Sequence, residues 1–396
     1  MKPAISVDNR FRFFYGFQFA GIGTFFPYIA LYLKSLDLTG AQVGLLLALV
    51  PFVAFLAQPL WGMASDVYHR HRSALVFACF GVAATMLLYS QVTHFWLLLP
   101  LTILHAVMMA PIPILSTSLA LEHLSRQQSA TSFGSLRLFG SIGFIITTTS
   151  IGTFLVDSGA IWWILPIYAG FNICLALIAW TVPDATIHGK VAWRQAADLI
   201  RRRRDILWLL AALLLIGMTL GIVNNYFTIY LRDIQATGFI IGLALALSAL
   251  FEIPLMALAP KFVRRWGVRP VLVVCTAILP LRWLLYVWID NPILVLPVQV
   301  LHSIAMMALL VVGILYMDRL LDRSLRASGQ SLYAASLQGI GPGIGLFAGG
   351  LLYDWNGINS VWLFSVIAGL LGTLLLTYAV YGHESPTIIQ GVTHES

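Results

Sequence analysis

Charge is scarce in this chain. Asp, Glu, Lys and Arg make up 10% of the 396 residues, against 59% apolar. A soluble globular protein carries roughly a quarter charged residues. A chain of this length with so little polar surface could not coat itself in water, so a lipid bilayer is the expected solvent. Cysteine is nearly missing as well. Cys79, Cys174 and Cys275 each fall inside an apolar run, which excludes a disulfide framework or a cysteine metal cluster. No nucleophile with a neighbouring base and no His-Glu-x-x-His pattern occurs. Nothing therefore marks an enzyme, and no metal or cofactor is expected. The net charge of +7 does not indicate nucleic acid, because the basic residues lie in short segments between apolar runs. A signal peptide is not evident either. The first apolar run is about 20 residues long, too long for a signal core, and lacks a small-residue cleavage site.

What the chain does have is apolar stretches of membrane-spanning length. A helix needs roughly 20 apolar residues to cross the hydrocarbon. Twelve such stretches are predicted, at 11–33, 41–65, 73–91, 95–119, 130–155, 161–181, 207–231, 239–260, 269–288, 293–316, 328–352 and 358–381. The fold class is thus an all-α membrane protein. The longest polar connection, 182–206, separates six spans in 1–181 from six in 207–396. It is expected to hold a short amphipathic helix on the membrane surface, anchored by Trp193.

The basic residues set the orientation. With the N-terminus inside, nineteen of the 23 Lys and Arg fall in inner segments, only Lys34 and Arg232 fall in outer loops, and Arg137 and Arg282 lie within spans. This bias predicts both termini in the cytoplasm.

The first half returns in the second. Tyr28 to Leu49 and Tyr226 to Leu247 align at an offset of 198 with ten of 22 positions identical, among them Tyr28/Tyr226, Thr39/Thr237, Gly40/Gly238 and Gly44/Gly242. Pro59-Leu60 matches Pro254-Leu255 at an offset of 195. A repeat this long in so apolar a chain predicts two pseudo-symmetric six-helix bundles, the plan of a transporter.

Twelve spans, this repeat and the basic central loop resemble the major facilitator superfamily. The stretch Gly62-Met63-Ala64-Ser65-Asp66-Val67-Tyr68-His69-Arg70 fits that superfamily's Gly-x-x-x-Asp-Arg-x-Gly-Arg-Arg motif at Gly62, Asp66 and Arg70, and lacks the Arg after the Asp and the second Gly. Such a Gly permits close helix contact, and the Asp at a helix end can pair with basic groups of the other bundle to latch one state. Phe26-Pro27-Tyr28-Ile29-Ala30-Leu31-Tyr32-Leu33, Ala57-Gln58-Pro59-Leu60-Trp61-Gly62 and Ser135-Leu136-Arg137-Leu138-Phe139-Gly140 look like the branch holding phenylpropionate permease, nucleoside:proton symporters and, more distantly, lactose permease.

Ionisable groups inside spans are costly and default to function. Arg137 lies roughly 10 Å into span five, with a planar fork suited to a carboxylate or a pair of hydroxyls. Glu122, near the inner end of span four, either pairs with it or is a solvated helix end; the resemblance implies that the two share the solute site. Glu252 lies roughly 13 Å deep in span eight and Arg282 roughly 20 Å deep in span nine. His302 is near mid-depth in span ten. The resemblance implies an acid, an arginine and a histidine on these three helices for proton coupling. Where lactose permease-like proteins carry a second acid, this chain has Ala305. Asn224 and Asn225 in span seven, with Gln18 in span one, are further solute-site candidates. Gly341-x-x-x-Gly345 and Gly345-x-x-x-Gly349 in span eleven predict close helix packing, and Pro342 a bend. Span five lacks the Gly-Pro element of many drug:proton antiporters, which favours import.

The expectation is a secondary transporter, a proton-coupled symporter importing an organic acid, a nucleoside or a sugar between two rocking bundles. It would work as a monomer among the lipids of the bacterial inner membrane, with a small solute and protons as partners. An efflux antiporter and a proton-independent facilitator are the rivals, and a non-transporting receptor is the remaining class.

Overall fold

The computed structural model describes residues 6–68, 70–127, 132–184, 203–322 and 325–382. Most of the predicted linker, with Trp193, lies outside them. Ten helical runs are α1 (Val7–Lys34), α2 (Gly40–Tyr68), α3 (His71–Tyr89), α4 (Phe95–Arg126), α5 (Phe133–Val156), α6 (Ile161–Thr181), α7 (Arg204–Asp233), α8 (Gly238–Trp266), α9 (Val268–Trp288) and α10 (Pro292–Leu320). An eleventh run, Arg326–Tyr381, is long enough to cross twice. It breaks at Asn356 and Gly357, and Gly357 has φ 68, a left-handed conformation that glycine adopts without a Cβ clash. The run is therefore two helices, α11 (326–355) and α12 (358–381). The twelve expected spans are present as six plus six.

The sequence repeat is a repeat of contacts. The Tyr28 hydroxyl donates to the Thr148 carbonyl at 2.6 Å, and that of Tyr226 to the Leu346 carbonyl at 3.4 Å; both partners are shifted by 198. The turns into α2 and α8 match as well. Asp37 and Gln235 both have positive φ, 58° and 61°, and Thr39 and Thr237 then accept from backbone N–H groups three residues on. Within each half, glycines let one helix lie on another. A Cβ at Gly143 would run into the backbone of Gly16 on α1, and one at Gly345 into that of Met218 on α7. The glycine spacing of α11 thus serves its contact with α7, and the turns just before Pro342, Ala335–Ile340, are π-helical.

The two halves meet at the predicted outer end. α5 crosses α8 where Gly152 faces Gly238 and Gly242, and α11 crosses α2 where Gly350 faces Gly40 and Gly44; a Cβ at any of them would overlap the facing backbone. Five hydrogen bonds cross between the halves here among the described residues. Asp157 accepts from the Gly238 N–H and from Arg232 Nη1, each at 2.7 Å. Asp354 accepts from the N–H groups of Gly40 and Ala41 at 2.5 and 2.7 Å. Thr228 Oγ1 donates to the Pro27 carbonyl at 2.7 Å. Each aspartate supplies acceptors for the orphan N–H groups, and a negative charge for the positive dipole end, of a helix in the opposite half. Toward the other end α2 still reaches α11 through Phe52 and Phe55, beside Gly343 and Gly339. One or two turns further on, Leu56, Leu60 and Met63 are exposed, and nothing lies within 4 Å of a Cβ built on Gly62.

Candidate functional site

Helical phase carries several polar residues into the opening between the halves. Arg137 precedes Thr148 by eleven residues, about three full turns, and Thr148 lies against Gly242 of α8. The Thr148 side chain lies against Gly23 of α1, so Arg137 lies where the faces of α5 toward α1 and toward α8 adjoin. It is exposed, and its guanidinium lies 5.6 Å from the Phe19 ring centre. It makes no hydrogen bond or ion pair among the described residues. Asn224 is one turn before Thr228, on the face of α7 that meets α1, and is exposed. Asn225 donates to its own helix at the Gly221 carbonyl, 3.2 Å away.

Across the cleft, α8, α9 and α10 bring the expected trio together. Glu252 Oε1 is 3.3 Å from His302 Nε2, and His302 Nδ1 is 2.8 Å from Arg282 Nη1. Ser303, next to His302, donates to the Ser248 carbonyl at 2.9 Å, which ties α10 to α8 one turn before Glu252. Arg282 is 2% exposed; the side chains of His302 and Glu252 are 12% and 28% exposed. The line thus runs from a buried cation to a carboxylate that water reaches. An arginine can only donate, so Nδ1 of His302 must present its lone pair to Arg282. The ring proton then sits on Nε2 and points at Glu252, and His302 is neutral.

Two residues not singled out in the sequence complete the site. Arg282 Nε donates to the Tyr286 hydroxyl at 3.0 Å and Nη2 to Gln299 Oε1 at 3.1 Å. Both were within reach of a spacing argument. Tyr286 follows Arg282 by four residues and Gln299 precedes His302 by three, each on the same helix face. The rings of Trp283, Tyr286 and Phe227 surround the guanidinium at 4.8, 5.2 and 6.0 Å. Ala305, where a second acid was looked for, is fully buried.

Other candidates stand apart. Glu122 does not meet Arg137. Its Oε1 is 2.6 Å from Arg126 Nε, one turn along the same helix, and Arg126 is largely exposed. In this conformer Glu122 is thus bonded along its own helix, where an i, i+4 partner is within reach. Gln18 shares a stripe of α1 with Phe11, Phe14 and Phe25, is buried, and its Oε1 has no hydrogen-bond partner. In the motif at the end of α2, Gly62 is open and makes no close helix contact in this conformation. Arg70 is exposed at the N-cap of α3, and the side chain of Asp66 lies outside the described residues.

Residues 9–364 match the model of a family described as the MFS_1 like family. The chain is 31% identical over 374 residues to maltose permease of Geobacillus stearothermophilus, covering 92% of this chain and 93% of that one. It is 25% identical over 397 residues to xanthosine permease of Escherichia coli, covering 91% and 93%. Its fold superposes on the crystal structure of the nucleoside transporter NupG with a TM-score of 0.82, at 19% identity over 95% of this chain and 98% of that one.

Proposed function

The chain belongs to the MFS_1 like family and is a membrane transporter of the major facilitator fold rather than an enzyme, and from that premise we propose a proton-coupled symporter that imports a neutral, hydroxyl-rich solute, a sugar or a nucleoside. Alternating access is assigned to two bundles, 1–181 and 207–396, joined by the linker 182–206. With both termini in the cytoplasm of a bacterial cell, the conformer is closed outside and open inside. Gly62, Asp66 and Arg70 would latch the inner ends in the opposite state.

The choice of solute rests on where the guanidinium groups are spent. An organic acid would need a free buried cation. Arg282 is committed to neutral partners, which leaves Arg137 as the cleft-facing fork. A guanidinium fork can also bond adjacent hydroxyls, a feature common to the sugar and the nucleoside named in the two relatives. Asn224 on the facing helix supplies a second polar contact.

The single observation that carries proton coupling is the bonded line from Glu252 through His302 to Arg282. A carboxylate at a buried site favours its neutral form, and a nearby cation favours its ionised form. Glu252 is partly exposed and stands one imidazole away from Arg282. The test is uptake of maltose, uridine and xanthosine into proteoliposomes under an imposed inward proton gradient. Accumulation that a protonophore abolishes, and that Glu252→Gln reduces to the protonophore level while solute counterflow stays measurable, supports the reading. Uptake indifferent to the protonophore identifies a facilitator, and solute extrusion on the same gradient an antiporter.

A further inference from the structure

We propose that Gln299 and Tyr286 are positioning residues for proton coupling. They hold the Arg282 guanidinium on Nδ1 of His302, so that His302 is held as the neutral Nε2–H form and Glu252 is left as the group that takes the proton. The proposal rests on the coupling role given above to Glu252.

The partners of Arg282 are unusual in kind. Its three hydrogen bonds go to a phenol, an amide oxygen and an imidazole nitrogen, all uncharged. A buried arginine more often faces a carboxylate, because pairing offsets the cost of desolvation. Here that cost is met by polar groups and by three aromatic faces whose π-systems attract the cation. The positive charge is thus held in place without being neutralised, one ring away from Glu252.

The clamp has a fixed orientation. The Gln299 atom facing Arg282 must be the oxygen, since arginine cannot accept. Its NH2 group then donates to the Tyr286 hydroxyl at 3.1 Å and to the Val295 carbonyl at 2.9 Å. The second of these pins Gln299 to its own helix backbone. Tyr286 receives hydrogen bonds from both Arg282 and Gln299, so the guanidinium is fixed from α9 and α10 together. The remaining groups around it are accounted for among the described residues. Glu252 faces it from α8 through His302. From α7 come the ring of Phe227 and Tyr230, whose hydroxyl donates to the Ile289 carbonyl at 2.9 Å. Trp362 of α12 packs on Tyr286 and Trp283.

A chemical consequence follows. While an Arg282 N–H occupies Nδ1, His302 has no free lone pair, because its other nitrogen already carries a proton. A proton arriving from the cleft can be taken only by Glu252, which still accepts from Nε2–H afterward through its carbonyl oxygen. The histidine transmits the arginine's influence and does not store a proton.

The experiment is nitrogen NMR of the purified full-length protein with 15N-labelled histidine, His302 being assigned by its loss in His302→Gln. Wild type is expected to show a single neutral form with the proton on Nε2 across roughly pH 5–8, the range in which an ordinary histidine titrates. Gln299→Met and Tyr286→Phe are expected to abolish that pH independence, with a mixture of tautomers or imidazolium appearing as pH falls. Either variant suffices if the other does not fold. A proton on Nδ1 in wild type, or wild-type spectra in both variants, would overturn the clamp. Failure of the underlying reading looks different: Glu252→Gln would accumulate maltose or uridine as wild type does, whatever the histidine spectra show.

Discussion

The two halves are alike where they touch and unlike where they face the cleft. At the outer end each half offers a glycine crossing, with Gly152 and Gly350 related by the offset of 198, and an aspartate that caps a helix of the other, one residue off that offset. At mid-depth the likeness ends. In the second half Glu252, His302, Arg282, Gln299 and Tyr286 are bonded to one another. In the first half Arg137 has no bonded acceptor among the described residues, and Gln18 Oε1 has no partner. Groups that satisfy each other are suited to sensing a proton. Arg137 and Gln18 keep hydrogen-bonding groups that a ligand could meet, although Trp283 and Trp362 of the second half also carry an unpartnered ring N–H. Symmetry marks the end where the halves touch; the division of work behind it belongs to the function proposed above.

The largest expected effect tests the symmetric part. Gly152→Val and Gly350→Val each place a side chain where a facing carbonyl already lies. Overpacking of this kind costs about 1–3 kcal/mol or more, enough to hold the outer end apart. Both variants should lose uptake by at least about tenfold, with labelling of a cysteine introduced at the outer end, as in Ser158→Cys, increased. A loss confined to one of them would break the comparison at the gate.

The next tests the division of work. Arg137→Lys keeps the charge and removes the fork. Losing one charge-assisted hydrogen bond, about 1.5–3 kcal/mol, should weaken solute affinity roughly 10- to 100-fold and leave the pH dependence of uptake in place. A shifted pH profile with unchanged affinity would mean that the first half carries the proton chemistry.

Parts of this were legible in the sequence. The repeat announced itself through Tyr28/Tyr226 and Gly40/Gly238, because glycines at a close crossing tolerate no substitute and so survive in both copies. Glu252, Arg282 and His302 stood out because ionisable groups are rare in apolar runs. Gln299 and Tyr286 did not, because one amide and one more tyrosine carry no such contrast; only their distances from His302 and Arg282 could have exposed them. Asp157 and Asp354 were overlooked for a different reason. They lie at helix ends, where an acidic residue reads as a solvated loop, and their partners are backbone N–H groups that no side-chain pattern reveals. For Glu122 both alternatives stood open in the sequence, and in this conformer its carboxylate is bonded to Arg126 one turn away.

A smaller effect is expected at the caps. Asp157→Asn and Asp354→Asn remove the charge at a foreign helix N-terminus, worth about 0.3–1 kcal/mol each and up to about 2 in a partly buried geometry. Spin-label distances across the outer end should show the open population rising by a few-fold in each. Asp157 also bonds Arg232, but both side chains are more than 40% exposed, and such pairs contribute only about 0–1 kcal/mol. The two variants should therefore behave alike. If Asp157→Asn alone opens the gate, the pairing with Arg232 outweighs the cap, and the gate is less symmetric than its geometry.

The smallest effect is expected at Glu122, and it bears on the first half most directly. Its carboxylate is paired along its own helix with an arginine whose side chain is 58% exposed. An i, i+4 pair of this kind is worth about 0.3–0.5 kcal/mol. Glu122→Gln keeps the shape, so the melting temperature should move by no more than a few degrees and solute affinity by less than about threefold. Arg137→Lys should exceed it by an order of magnitude. If instead the two substitutions weaken affinity equally, and the double variant is no worse than either single one, the residues act as a unit on the solute. Arg137 would then have its acceptor after all, in another state of the cycle. The contrast between a bonded half and an unsatisfied half would in that case describe one conformer rather than the transporter's division of labour.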